Sequence, residues 1–144
     1  MQNLAWEMTC TAETKSSVAS AWAYWTNIAN WYDPPAQFEL DGPFASGTRG
    51  TTRMTGQDPM HWIIAEVTPP FSATIVLELR AATLSFDWRF QELSAGRTRI
   101  TQRVSLRGEN ANEYLSQVRT SFTSNLQAGL NKMAAAIAIH KIQL

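Results

Sequence analysis

Few side chains in this sequence can do acid–base or hydrogen-bonding chemistry on a ligand, and each sits in a recognisable pattern. His61 opens a predicted strand from His61 to Thr68 and carries the group that titrates nearest neutrality. It is the candidate catalytic acid or base. Its plainer and preferred reading is an exposed strand-end histidine. If Ile63, Ala65 and Val67 face inward, His61 does too, at a rim; the opposite parity buries Trp62, Ile64 and the Glu66 carboxylate. Gln102 stands between Ile100 and Val104 on the inward face of a strand from Thr98 to Leu106. An interior amide needs a partner, which is either a neighbouring side chain or a ligand. Tyr114, with Gln117, Ser121, Asn125 and Ala128, forms a row beside the apolar stripe of the last helix. It would bring a phenol to the mouth of a space beneath that helix; alternatively the row faces solvent, the better reading for Gln117.

The other reactive types read as structural. Cys10 is the single cysteine, which excludes an internal disulfide, and within a strand it is expected to be a buried, inert thiol. His140 falls on the last helical turn, where a cation meets the helix dipole favourably. Glu78 and Arg80 share a strand face and are expected to form an exposed ion pair. The two histidines are far apart, and there is no phosphate-cradling loop and no nucleophile elbow. No metal and no cofactor are therefore expected. The six tryptophans are the compositional oddity: they either build a bulky core or line a cavity with flat rings.

The elements that must position these groups follow from periodicity. Leu4, Trp6, Met8, Cys10 and Ala12 alternate with polar residues, which predicts a half-buried strand. Ser16 or Ser17 caps a helix from Val18 to about Trp25, and Ile28 to Trp31 makes a second helical turn, ended by Asp33-Pro34-Pro35. Strands follow at Phe38 to Leu40, Thr48 to Met54, His61 to Thr68, Ser72 to Arg80, Leu84 to Leu93 and Thr98 to Leu106. In the sixth of these seven strands Leu84, Phe86, Trp88 and Phe90 share one face. From Asn112 to Leu144 the spacing of Leu115, Val118, Phe122, Leu126, Leu130, Met133 and Ile137 predicts one long amphipathic helix, capped by Asn110 or Asn112. Gly129, in its middle, suggests close approach by the Trp22 helix. Short connections between the later strands favour antiparallel pairing, so the fold class is α+β.

Length and charge narrow the functions. At 144 residues there is room for a single domain, and 44% apolar with 17% charged residues is ordinary globular composition. Twelve basic and twelve acidic side chains cancel, which argues against nucleic acid as a partner. Arg97, Arg99, Arg103 and Arg107 alternate along one strand and read as a solvated sheet face. The N-terminus has no basic start followed by an apolar run, and no stretch approaches a membrane span, so a cytoplasmic location is expected.

Short motifs spread along the whole chain carry a resemblance. They are Ser17-Val18-Ala19-Ser20-Ala21-Trp22, Trp31-Tyr32, Gly47-Thr48-Arg49-Gly50, Glu66-Val67-Thr68-Pro69-Pro70, the run Gly96 to Thr101, and the run Asn125 to Met133. In this order and spacing the chain resembles the START-like, helix-grip superfamily (SRPBCC), within it the polyketide cyclase/dehydrase and lipid-transport-like group. The resemblance implies a curved antiparallel sheet of about seven strands gripping the C-terminal helix, with an apolar cavity between. Fold does not settle function. The first expectation is a small hydrophobic or aromatic ligand held by Trp31, Phe86, Trp88, Phe122 and Leu126, with Gln102, His61 and Tyr114 supplying polarity. The second is a cyclase/dehydratase-like lyase or isomerase using His61. The third is a co-chaperone-like interaction domain with a filled core. A homodimer is left open.

Overall fold

Period-two patterning and turn residues produce seven strands. The computed structural model describes residues 4–31 and 34–142. Strand β1 (Leu4–Thr14) leads into helix α1 (Val18–Trp25) and a 3-10 turn (Ile28–Asn30). Then come β2 (Gln37–Leu40), β3 (Arg49–Arg53), β4 (Met60–Thr68), β5 (Ser72–Leu79), β6 (Ala82–Ser94) and β7 (Arg97–Arg107). Helices α2 (Ala111–Phe122) and α3 (Leu126–Ile142) complete the chain. All neighbours in the sheet are antiparallel, in the order β1-β7-β6-β5-β4-β3-β2. The expected α+β helix-grip architecture is what the chain adopts.

The two faces of the sheet differ as alternation requires. Inward go Cys10, Ile64, Ile75, Leu84, Phe90, Ile100, Val104 and Leu106, all buried. Outward, Arg97 and Arg99 meet Glu13, while Arg103 meets Glu7 and Asp87. These pairs are solvent-exposed and stabilise little individually. Ser17 caps α1, its hydroxyl accepting from the Ser20 amide at 3.1 Å, and α1 buries Ala21, Trp22 and Trp25. Helix α3 packs chiefly on β1. Two hydrogen bonds tie these elements: the Thr14 hydroxyl donates to the Ala134 carbonyl at 2.7 Å, and the Gln127 amide donates to the Thr11 carbonyl at 2.9 Å. Among the described residues no helix is long and apolar enough to cross a membrane.

The structure corrects five expectations. The single helix from Asn112 to Leu144 is two helices, broken at Thr123, Ser124 and Asn125; Leu144 lies outside the described residues. Three short polar side chains in a row compete for backbone partners, and the Asn125 amide donates to the Ser121 carbonyl at 2.9 Å. The apolar stripe survives the break, with Val118, Leu126, Leu130 and Ile137 buried. Secondly, Gly129 is not approached by another element: a Cβ there would meet nothing within 4 Å. Thirdly, neither parity holds for all of β4. Trp62 and Ile64 face inward, but a bulge between Ile64 and Glu66 reverses the sense, so Val67 packs on the core and Glu66 is exposed. Fourthly, the Glu78 carboxylate accepts from the Thr83 hydroxyl, and no Glu78–Arg80 ion pair forms among the described residues. Asn110 does precede the α2 helix, yet its side chain donates to the Arg80 carbonyl and to Glu113 instead of capping.

Gly50 has a steric task. It pairs with Trp62 across β3 and β4, and a Cβ at Gly50 would overlap the Trp62 ring. The absent side chain lets the indole lie over the neighbouring strand, where its N–H donates to the Thr52 hydroxyl at 3.0 Å. Gly50→Ala should therefore cost about 1–3 kcal/mol in chemical denaturation and change the Trp62 contribution to near-ultraviolet dichroism. A neutral effect on both would show that the ring has no fixed seat there.

Candidate functional site

Between the inward face of the sheet and the two C-terminal helices lies a cavity of about 950 Å³, open to solvent at one side. That is at the large end of the range for small-molecule sites. The sheet contributes Ile75, Leu77, Phe86, Trp88 and Gln102; the helices contribute Phe122, Leu126, Leu130 and Met133. Its third wall is α1 with the following turn, through Tyr24, Trp25, Asn30 and Trp31.

Four of the six tryptophans form a continuous series along this lining. Trp88 and Trp25 have ring centroids 4.8 Å apart, Trp25 and Trp31 6.0 Å, and Trp31 and Trp62 5.7 Å. The last two pairs are stacked, with interplanar angles of 30° and 23°. Each such contact adds roughly 0.5–1.5 kcal/mol beyond the area it buries. The turn that carries Trp31 is fixed by hydrogen bonds to the end of α1. Trp31 donates its indole N–H to the Trp25 carbonyl at 2.6 Å, and Asn30 donates to the Tyr24 carbonyl at 2.9 Å. The tryptophans are thus both core and cavity wall, where the composition left those two readings level.

Gln102 is the polar group set deepest in this lining. It is 8% exposed, pairs with Cys10 on β1 and Trp88 on β6, and its carboxamide has no hydrogen-bond partner among the described residues. Its polar atoms reach the open space of the cavity and are available to pair with whatever enters it. Thr52 also lines the space, but its hydroxyl is engaged by Trp62.

Of the residues singled out from sequence, Trp31, Phe86, Trp88, Gln102, Phe122 and Leu126 come together around this cavity. Two do not. His61 is exposed on the opposite face of β4, with Nδ1 3.3 Å from the Thr51 hydroxyl, because inward parity there belongs to Trp62. Tyr114 is half-buried away from the cavity; its hydroxyl accepts from the Arg80 amide at 3.2 Å and pins α2 to the β5–β6 turn. Cys10 is buried and its thiol is pushed up by loss of solvent, which keeps it protonated and inert. Sequence reasoning missed Trp25, Trp62, Gly129 and Lys132 as lining residues. The row Ser121, Asn125, Ala128 was the available signal, since all three line the cavity and Lys132 continues their spacing.

A family model described as polyketide cyclase / dehydrase and lipid transport matches residues 5–138. No curated protein matches the sequence. Among solved structures, norcoclaurine synthase from Thalictrum flavum, in complex with dopamine and hydroxybenzaldehyde, superposes with a TM-score of 0.73 at 12% identity. That alignment covers 99% of this chain and 88% of the other. A protein from Arthrobacter aurescens solved in solution gives a TM-score of 0.70 at 15% identity, over 92% and 86% of the two chains. The di-domain ARO/CYC BexL of the BE-7585A biosynthetic pathway gives 0.68 at 15% identity, over 96% of this chain and 47% of that one. At these identities the structures speak for the fold. The family match covers nearly the whole sequence, and the chain belongs to the polyketide cyclase / dehydrase and lipid transport family.

Proposed function

We propose that this protein binds a small aromatic or hydrophobic metabolite in the cavity between its sheet and its C-terminal helices. The observation that carries this reading is the series of four indoles lining an open cavity of about 950 Å³. A filled core would have suited an interaction domain; an unfilled one of this size has a cost in lost dispersion contacts that a ligand would offset. Burying about 250 Å² of a flat ligand at about 25 cal/mol per Å² gains roughly 6 kcal/mol, less the cost of association. Gln102 would orient the ligand by pairing its carboxamide with a polar edge. Membership in the family and the aromatic compounds bound by norcoclaurine synthase support the same class of ligand.

Binding is favoured over acid–base turnover by the placement of His61 on the far face of β4. No imidazole or carboxylate lines the cavity among the described residues. Enzymatic work there would rest on positioning a reactive compound, with the Tyr24 hydroxyl and the Lys132 amine as the acid–base groups in the lining.

The test uses the neutral dye N-phenyl-1-naphthylamine and two substitutions with opposed expectations for stability. Trp88→Ala should weaken binding about tenfold, the loss of one stacking partner and its apolar area. Gly129→Leu should place a side chain in the open volume and weaken binding comparably. At the same time it should raise Tm, because glycine in a helix costs about 1 kcal/mol relative to good helix formers. Dye affinity unchanged in the better-folded Gly129→Leu protein would remove the cavity as the binding site.

A further inference from the structure

Several polar groups around the cavity are already engaged by the protein. The Trp31 indole N–H is held by the Trp25 carbonyl, the Asn30 amide by Tyr24, the Thr52 hydroxyl by Trp62 and the Asn125 amide by Ser121. Lys132, like Gln102, has no hydrogen-bond partner among the described residues. It is the only formally charged side chain among the described lining residues, and it makes no ion pair with any of them.

Its position follows from helical spacing. Ala128, Gly129, Met133 and Ala136 on α3 line the cavity at three- and four-residue steps, and Lys132 belongs to that row. The residues one turn away on the same row, Ala128, Gly129 and Ala136, are small, and Lys132 is solvent-exposed while lining the cavity. The arginines and carboxylates of the outer sheet face neutralise one another, and the chain as a whole has zero formal charge. A positive potential at the cavity is therefore local and not a product of the overall field. Low-dielectric aromatic walls beside a single ammonium favour one sign of ligand.

We infer that the cavity selects a flat aromatic acid, its ring system against the indoles, a hydrogen-bonding edge at Gln102 and its anionic group paired with Lys132. This rests on the binding reading above and adds the charge of the ligand to it.

A matched pair of probes separates the two claims. 2-Naphthoate and 2-naphthamide share a ring system and a planar polar group and differ in charge; quenching of tryptophan emission reports both. The wild-type protein should bind 2-naphthoate about two- to fivefold more tightly than 2-naphthamide, the range for a partly exposed ion pair. Lys132→Met should abolish the preference, Lys132→Arg should retain it, and about 1 M salt should suppress it. Equal or weaker binding of the anion, or a preference that persists in Lys132→Met, overturns charge selection and leaves the cavity as an aromatic site. Failure of both probes to bind defeats the cavity reading and this inference together.

Discussion

Where α3 is anchored governs the rest of the molecule. Its buried residues Leu126, Leu130, Ala134 and Ile137 rest chiefly on β1 and α1, and two hydrogen bonds to Thr11 and Thr14 hold it at that side of the sheet. A helix of about 10 Å diameter placed there leaves part of the inward face of the sheet without a covering element. Ile75, Leu77, Phe86 and Trp88 therefore look into open space instead of into a packed interior. The cavity is a consequence of this placement, since an apolar stripe was satisfied at one side of a wider sheet.

Keeping such a space open requires stiff walls. Flexible aliphatic side chains would sag into it and recover contacts, because interiors tend to native packing density. Indoles resist this through few rotatable bonds and through mutual contact. Trp25 touches Trp22, Trp31, Trp88 and the ring of Phe90, so it joins the core to the cavity wall. The two glycines act in a complementary way. Gly50 yields its side-chain space to Trp62, and Gly129 leaves its space empty. One permits a wall and the other preserves a void.

A small set of side chains gives the site its character. Its lining combines extended aromatic surface, the Gln102 carboxamide and one exposed ammonium. The same helix-grip scaffold carries norcoclaurine synthase and a di-domain ARO/CYC protein, so the architecture alone does not choose between carriage and catalysis. The side chains that this chain turns inward define its site, and the acid–base candidate of its sequence, His61, is turned outward.

Local periodicity made much of the architecture legible in the residues. Strand limits were read to within about two or three residues, because alternation and turn chemistry act over short distances. The inward parity of β6 and β7 was readable too, and with it the placement of Phe86, Trp88 and Gln102. A bulge was not: one extra residue in β4 changes which side chains face inward without changing the composition of the strand. The break at Thr123 to Asn125 was equally hidden, since the apolar stripe keeps its phase across it. Stacking of Trp25 on Trp88 joins an N-terminal helix to a late strand, and no local rule brings them together. The emptiness around Gly129 is likewise a property of where distant elements stop. Periodicity assigns each residue a face, whereas the volume left between faces depends on how whole elements rest on one another.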